Sequence, residues 1–155
     1  MITGRSPAIR LYEKFGFART RELEVLSLAE SAPDVGDTEE APLAAARSII
    51  LTRRDDEEPW QRHDDTVDRL AVREPPLQGI VSGDAAALYS VSAPNVSLVQ
   101  AAGGEHGLRS ILSAIRTKGT VSAVNYPSGG AVAEALQAAG ADVTLRQYEM
   151  IKTLD

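Results

Sequence analysis

Ala8-Ile9-Arg10-Leu11-Tyr12-Glu13-Lys14-Phe15-Gly16-Phe17 decides how this chain is read. Ser6 is a good N-cap, and Pro7 suits the first helical position. Ala8, Leu11, Tyr12 and Phe15 fall at i, i+3, i+4 and i+7, which predicts one buried helical face. Gly16 is placed to end that helix, because glycine accepts the left-handed conformation found just past helix ends. Beyond it, Glu22-Leu23-Glu24-Val25-Leu26-Ser27-Leu28 alternates polar and apolar as a half-buried strand does.

The same helix, glycine and strand recur at the far end of the chain. Gly16 aligns with Gly140 and Tyr12 with Leu136; after a one-residue gap, Leu23-Glu24-Val25-Leu26 matches Tyr148-Glu149-Met150-Ile151. Between the two copies, residues 29–58 are acidic. They read as a linker with a short docked helix or strand over Leu43 to Leu51.

Residues 59–155 read as a complete small α/β unit. A helix opens at Pro59-Trp60, with Trp60, Val67, Leu70 and Ala71 on its buried side, and stops at Pro75-Pro76. Strands follow over Gly79 to Val81, Ala86 to Val91 and Val96 to Gln100, joined by the turns at Ser82-Gly83-Asp84 and Ala93-Pro94-Asn95. A glycine-rich loop, Ala102 to Gly107, leads into a helix with Leu108, Ile111, Leu112 and Ile115 on one face. Thr120 to Asn125 is a strand, Ser128 to Ala139 a helix closed by Gly140, and Asp142 to Leu154 a final strand. The expected fold is α/β, in the order helix, three strands, helix, strand, helix, strand.

Composition narrows the function. The chain has 155 residues, a formal net charge of −6 and no cysteine. Disulfides, thiolate nucleophiles and cysteine-ligated zinc are therefore excluded. The acidic balance argues against nucleic acid as a partner, and no apolar run suggests a signal peptide or a membrane span. A cytoplasmic protein is expected.

Residues 8–17 resemble the late helix and following strand of the GNAT acyl-CoA-dependent N-acetyltransferases, in which A-x-x-L-Y-x-x-x-G-F is a familiar pattern. Residues 59–155 resemble the same fold from its second strand onward. Pro59-Trp60-Gln61-Arg62 and Leu145 to Met150 look like the second domain of tandem GNAT proteins. On this resemblance, residues 1–28 are the tail of an incomplete first domain, 29–58 a linker, and 59–155 a second domain. The first domain's acyl-CoA loop would then precede Met1. Its stranded helix and strand are expected to dock on the chain's own second domain or to exchange with a second copy in a homodimer.

The resemblance implies acetyl transfer from acetyl-CoA to a primary amine. Backbone N–H groups at a helix start would hold the pyrophosphate, and a tyrosine would protonate the departing thiolate. Tyr12 occupies that tyrosine position; its structural alternative is a helix residue packing beside Phe15. The family's usual asparagine, three residues before Ala8, is Arg5 here, and the second copy has Leu136, which cannot donate a proton. The family's Q/R-x-x-G-x-G/A loop is half matched by Gln100, Gly103 and Gly104, with Glu105 expected to face the pyrophosphate and Gly107 offering another register. Asn125, ending a strand, would hold a turn or meet a ligand amide. His106 beside Glu105 and His63 beside Asp64 and Asp65 are better read as surface groups than as a base or a metal pair. No metal is expected. The alternative reading is a non-catalytic GNAT-like module for dimerisation or for shaping a partner domain's cleft.

Overall fold

The computed structural model describes residues 7–32, 34, 36–55, 57–59 and 61–154. Arg5, Ser6 and Trp60, singled out above, lie outside them. In chain order the elements are α1 (Pro7–Lys14), β1 (Ala18–Leu28), β2 (Glu39–Ala41), α2 (Leu43–Arg53), α3 (Asp64–Ala71), β3 (Gln78–Ser82), β4 (Ala85–Ser92), β5 (Asn95–Ala102), α4 (Glu105–Ile115), β6 (Thr120–Pro127), α5 (Ala131–Ala138) and β7 (Asp142–Ile151). From α3 onward this is the order that the hydrophobic periodicity predicts.

All seven strands form one sheet, ordered β2-β3-β4-β5-β6-β1-β7. Only β5 and β6 run parallel, with α4 as their crossover; every other neighbouring pair is antiparallel. α4 and α5 cover one face, burying Leu108, Ile111, Leu112, Ile115 and Leu136 with Leu26, Leu28 and Tyr126. On the other face Ala46 and Ile50 of α2 and Val67 of α3 pack with Leu88 and Val99. The stretch 29–58 thus supplies a strand and a core helix, because Leu43 to Ile50 is small and apolar enough to cover the sheet.

The N-terminal segment enters the middle of the sheet. β1 lies between β6 and β7, with Leu23, Leu26 and Leu28 buried. The Glu24 carboxylate, 2% exposed, clamps three elements there. It accepts hydrogen bonds from Ser128 Oγ, from Gln137 Nε2 on α5 and from Arg146 Nε on β7, at 3.0–3.1 Å. A buried carboxylate with three donors is satisfied rather than stranded.

α1 corrects the predicted burial. Leu11, Tyr12 and Phe15 are 53%, 43% and 60% exposed, Ala8 is exposed too, and the buried residue of the helix is Ile9. The reason is the sheet itself: α5 already packs over β1, leaving α1's stripe no sheet to cover.

The internal repeat is structural. Phe17 N–H bonds to the Tyr12 carbonyl and Gly16 N–H to that of Glu13; Ala141 bonds to Leu136 and Gly140 to Gln137 in the same way. Gly16 (φ +83°) and Gly140 (φ +96°) hold the left-handed position of both caps. β1 and β7 then pair about a local two-fold axis through Leu23↔Gln147: Glu22↔Tyr148 mirrors Glu24↔Arg146, and Arg19↔Met150 mirrors Leu26↔Val143. Each strand has one bulged threonine, Thr20 and Thr144, whose hydroxyls donate to the mirrored carbonyls of Glu149 and Val25 at 3.2 and 3.1 Å. The spacing from Gly16 to Gly140 equals that from Leu23 to Gln147, so the expected one-residue gap is absent. The apolar pattern suggested it because β1 is flanked on both sides and β7 on one, which moves the demand for apolar residues.

These two segments should respond differently to truncation. Leu26→Ala should cost about 2–5 kcal/mol of unfolding free energy in urea, and Leu11→Ala less than about 0.5 kcal/mol. Equal losses would contradict this placement of β1 and α1.

Candidate functional site: the gap between the parallel strands

β5 and β6 pair only from Asn95↔Thr120 to Leu98↔Ala123. Beyond that point each strand is irregular. β5 slips register against β4 between Leu98 and Gln100, and β6 slips against β1 between Ala123 and Tyr126. Asn125 holds φ +61°, a conformation asparagine accepts more readily than most residues. The two strands therefore run on to Ala102 and Pro127 with no ladder between them.

Arg62 fills this opening. It is 5% exposed, and its guanidinium lies 3.7 Å from the centre of the Tyr126 ring. Arg62 Nη2 donates to the Asn125 carbonyl at 2.8 Å, and Nη1 pairs with Glu58 Oε2 at 2.6 Å. From the opposite strand, Gln100 Nε2 donates to the Arg62 carbonyl and, at 3.3 Å, to Asp64 Oδ1. Asp64 in turn pairs with Arg54 at 3.2 Å. Gln147 Nε2 donates to Asn125 Oδ1 from β7. The site thus bridges β5, β6 and β7 with polar groups in place of a strand ladder.

Burial pushes the Glu58 carboxyl above its usual range, against the opposing pull of Arg62, Arg54 and Arg21. Asp64 also meets desolvation, but hydrogen bonds from Gln100 and Arg54 outweigh it and hold its carboxyl below the ordinary value. Burial raises the Tyr126 phenol despite the nearby Arg62 charge, so it stays protonated at neutral pH. Arg62 Nε has no hydrogen-bond partner among the described residues. The cavity left at the mouth of the gap, bounded by Arg53, Arg54, Glu58, Arg62, Gly103 and Tyr126, is only about 90 Å³. Pockets for drug-sized ligands hold roughly 300–1,000 Å³.

The glycine loop packs against the β3–β4 turn. A Cβ on Gly103 would lie 2.3 Å from Ala85 Cα, and one on Gly107 would lie 2.4 Å from the Ser82 carbonyl oxygen. Close approach therefore accounts for both glycines. At the start of α4, Gly104 N–H donates to Asp84 Oδ1 at 3.3 Å, while Arg53 holds Asp84 Oδ2 at 3.2 Å. The chain's own carboxylate meets the helix end that an anion would meet. Glu105, expected to face that end, is turned to solvent, with Arg109 3.8 Å away.

Of the candidate residues, Gln100 and Asn125 meet around Arg62; Gly103, Gly104 and Gly107 form the neighbouring loop. Tyr12 is on α1, none of whose residues bound the cavity, and its ring meets Phe17 edge-on at 5.3 Å. His63 caps α3 by accepting the Asp65 N–H, and His106 is exposed. Among the described residues no three His, Asp or Glu side chains are grouped to hold a metal. No described helix is long and apolar enough to cross a membrane. Arg62, Glu58, Tyr126 and Asp84 are not among the site residues that the sequence suggests, although Arg62 lies in the stretch that carries the resemblance and Asp84 in a predicted turn. The i, i+4 spacing of Glu58 and Arg62 was the one local signal available.

No protein-family model matches the sequence, and no curated protein matches it. Solved structures do. Eis1 from Mycobacterium abscessus matches with a TM-score of 0.62 at 14% identity, covering 96% of this chain and 45% of that protein. A GCN5-related N-acetyltransferase from Sphaerobacter thermophilus matches at 0.62 and 14%, covering 99% and 59%. Another from Anabaena variabilis matches at 0.65 and 12%, covering 94% and 43%. The fold is that of the GCN5-related N-acetyltransferases, and this chain spans about half the length of those proteins.

The raised carboxyl gives a signed pH dependence. With its folded pKa above the unfolded value, Glu58 contributes stability below the unfolded pKa (about 4.3) that is lost as pH rises through the folded one. The stability of the native protein relative to Glu58→Gln should therefore fall between pH 4 and pH 7 in urea titrations. A difference that grows with pH would contradict the burial-dominated shift.

Proposed function

From a GCN5-related N-acetyltransferase fold closed at its own strand gap, we propose that this chain is a module of a two-domain N-acetyltransferase. The whole protein would move an acetyl group from acetyl-CoA to a primary amine. The strand gap of this module serves architecture and cleft shaping, and the chemistry takes place at a site on the other domain. The observation that carries the reading is Arg62, locked between β5 and β6 by Glu58, Asn125, Gln100 and Tyr126.

The residues present do not fit acetyl-CoA. Gly103 and Gly107 are needed against the β3–β4 turn, and Asp84 accepts the Gly104 N–H that would face a pyrophosphate. A second carboxylate, Glu58, sits at the mouth of the gap. The arginines at the same mouth, Arg53, Arg54 and Arg62, are already paired with carboxylates of the chain, Asp84, Asp64 and Glu58, rather than left for a diphosphate. The length of the solved relatives leaves room for a second domain to hold the cofactor. Tyr12, on the exposed face of α1, is the candidate placed to serve a site on such a domain.

Two measurements test this. About 1 mM acetyl-CoA should leave the melting temperature of the 155-residue chain within about 1 °C. A ligand at a hundred times its Kd would add about 2.7 kcal/mol and several degrees, and such a rise would overturn the closed-gap reading. In the full-length enzyme, Tyr12→Phe should lower kcat about a hundredfold or more with unchanged unfolding. Unaltered kcat would remove Tyr12 from the chemistry.

A further inference from the structure

The local two-fold axis relates one covered half of the molecule to an uncovered one. On the covered side, β6 pairs antiparallel with β1, at Leu26↔Ala123, Ser27↔Ser122 and Leu28↔Val121, and α5 lies over both. The mirror images of Leu26, Ser27 and Leu28 are Met150 and Ile151, the last residues of β7, and Lys152 just beyond it. β7 is the last strand of the sheet, and Ile151 is 52% exposed. The mirror image of α5 is α1. Ala135 and Leu136 of α5 are 2% and 0% exposed, whereas their counterparts Leu11 and Tyr12 are 53% and 43%. Phe15 corresponds to Ala139, which packs against the core. Each apolar position of this stripe thus has a counterpart that is covered by the sheet.

We infer that α1 and the Met150–Lys152 edge, where β7 ends, are one docking surface, and that its occupant is the sheet of a second GNAT-fold domain. A strand equivalent to β6 would pair antiparallel with this edge at Met150–Lys152. α1 would cover that second sheet as α5 covers this one, burying Leu11, Tyr12 and Phe15. The inference rests on the two-domain reading above, and it names where the second domain sits.

Three observations favour this occupant. The caps, the bulged threonines and the ladder of α1–β1 repeat those of α5–β7, so the stripe is shaped for the same kind of sheet. The solved relatives carry more chain than this one, which spans 45%, 59% and 43% of three of them. A second copy of this chain cannot offer its own β6, which is already flanked by β5 and β1. The polar residues of α1 also disfavour a copy. Glu13 is held by Arg19 at 2.8 Å, so Arg10 and Lys14 leave the rim positive, and a copy would set two such rims together.

Hydrogen exchange followed by mass spectrometry, on the protein isolated at its natural length and on the 155-residue chain, tests the proposal. In the natural protein, amides of 11–15 and 150–152 should exchange more than about tenfold more slowly than in the chain alone. Equal rates in a natural protein that still acetylates an amine would overturn the docking surface and leave the functional reading standing. Retained protection in a protein without that activity would overturn the functional reading instead. Protection that grows with the concentration of the 155-residue chain would put a second copy on the surface and overturn the proposal.

Discussion

The Arg62 guanidinium, buried between two parallel strands that have stopped pairing, is the interaction on which the rest of the site depends. Where β5 and β6 part, each presents polar groups that no ladder satisfies, and water is largely kept out. Arg62 meets this need with its side chain on the Asn125 carbonyl and Glu58, its carbonyl on Gln100, and its charge over the Tyr126 ring. A buried ion pair of this kind is weak evidence of net stabilisation, but removing one partner strands the other at a cost of about 3–5 kcal/mol. The gap is thereby committed to the chain's own residues.

The same economy governs the neighbouring loop. A glycine-rich turn entering a helix suggests phosphate binding, yet here the glycines allow backbone to approach the β3–β4 turn, and Asp84 meets the helix dipole. Two features that a cofactor would use are each answered from within the fold. Meanwhile the N-terminal strand completes the sheet under α5, while the helix before it leaves its apolar stripe outside. The chain fills its own strand gap with Arg62 and leaves Leu11, Tyr12 and Phe15 of α1 exposed.

Much of this was legible in the sequence. Period-two alternation found β1, the turn at Ser82-Gly83-Asp84 found the β3–β4 hairpin, and the spacing of Leu108, Ile111, Leu112 and Ile115 found α4 and its buried face. The repeat was visible in Gly16 and Gly140, because a left-handed cap demands glycine wherever it occurs. Burial of α1 was not legible. Periodicity gives the apolar face of a helix but not whether a sheet is there to receive it. The gap escaped for a related reason: Arg62, Gln100 and Asn125 are far apart in sequence, and only the divergence of two strands brings them together. Gln100, a candidate for ligand contact, donates to the Arg62 carbonyl, and Asn125, expected to hold a turn or meet a ligand amide, accepts from the Arg62 side chain at its carbonyl.

The central claim, that Arg62 occupies the gap as a fixed part of the fold, is most directly tested by the ¹⁵N–¹H resonance of its Nε–H in solution. Held over the face of Tyr126 and shielded from water, that proton should be shifted upfield by the ring, exchange slowly with solvent, and stay in place when acetyl-CoA is added. A resonance at the position of a free arginine with rapid exchange, or one displaced by acetyl-CoA, would contradict the account.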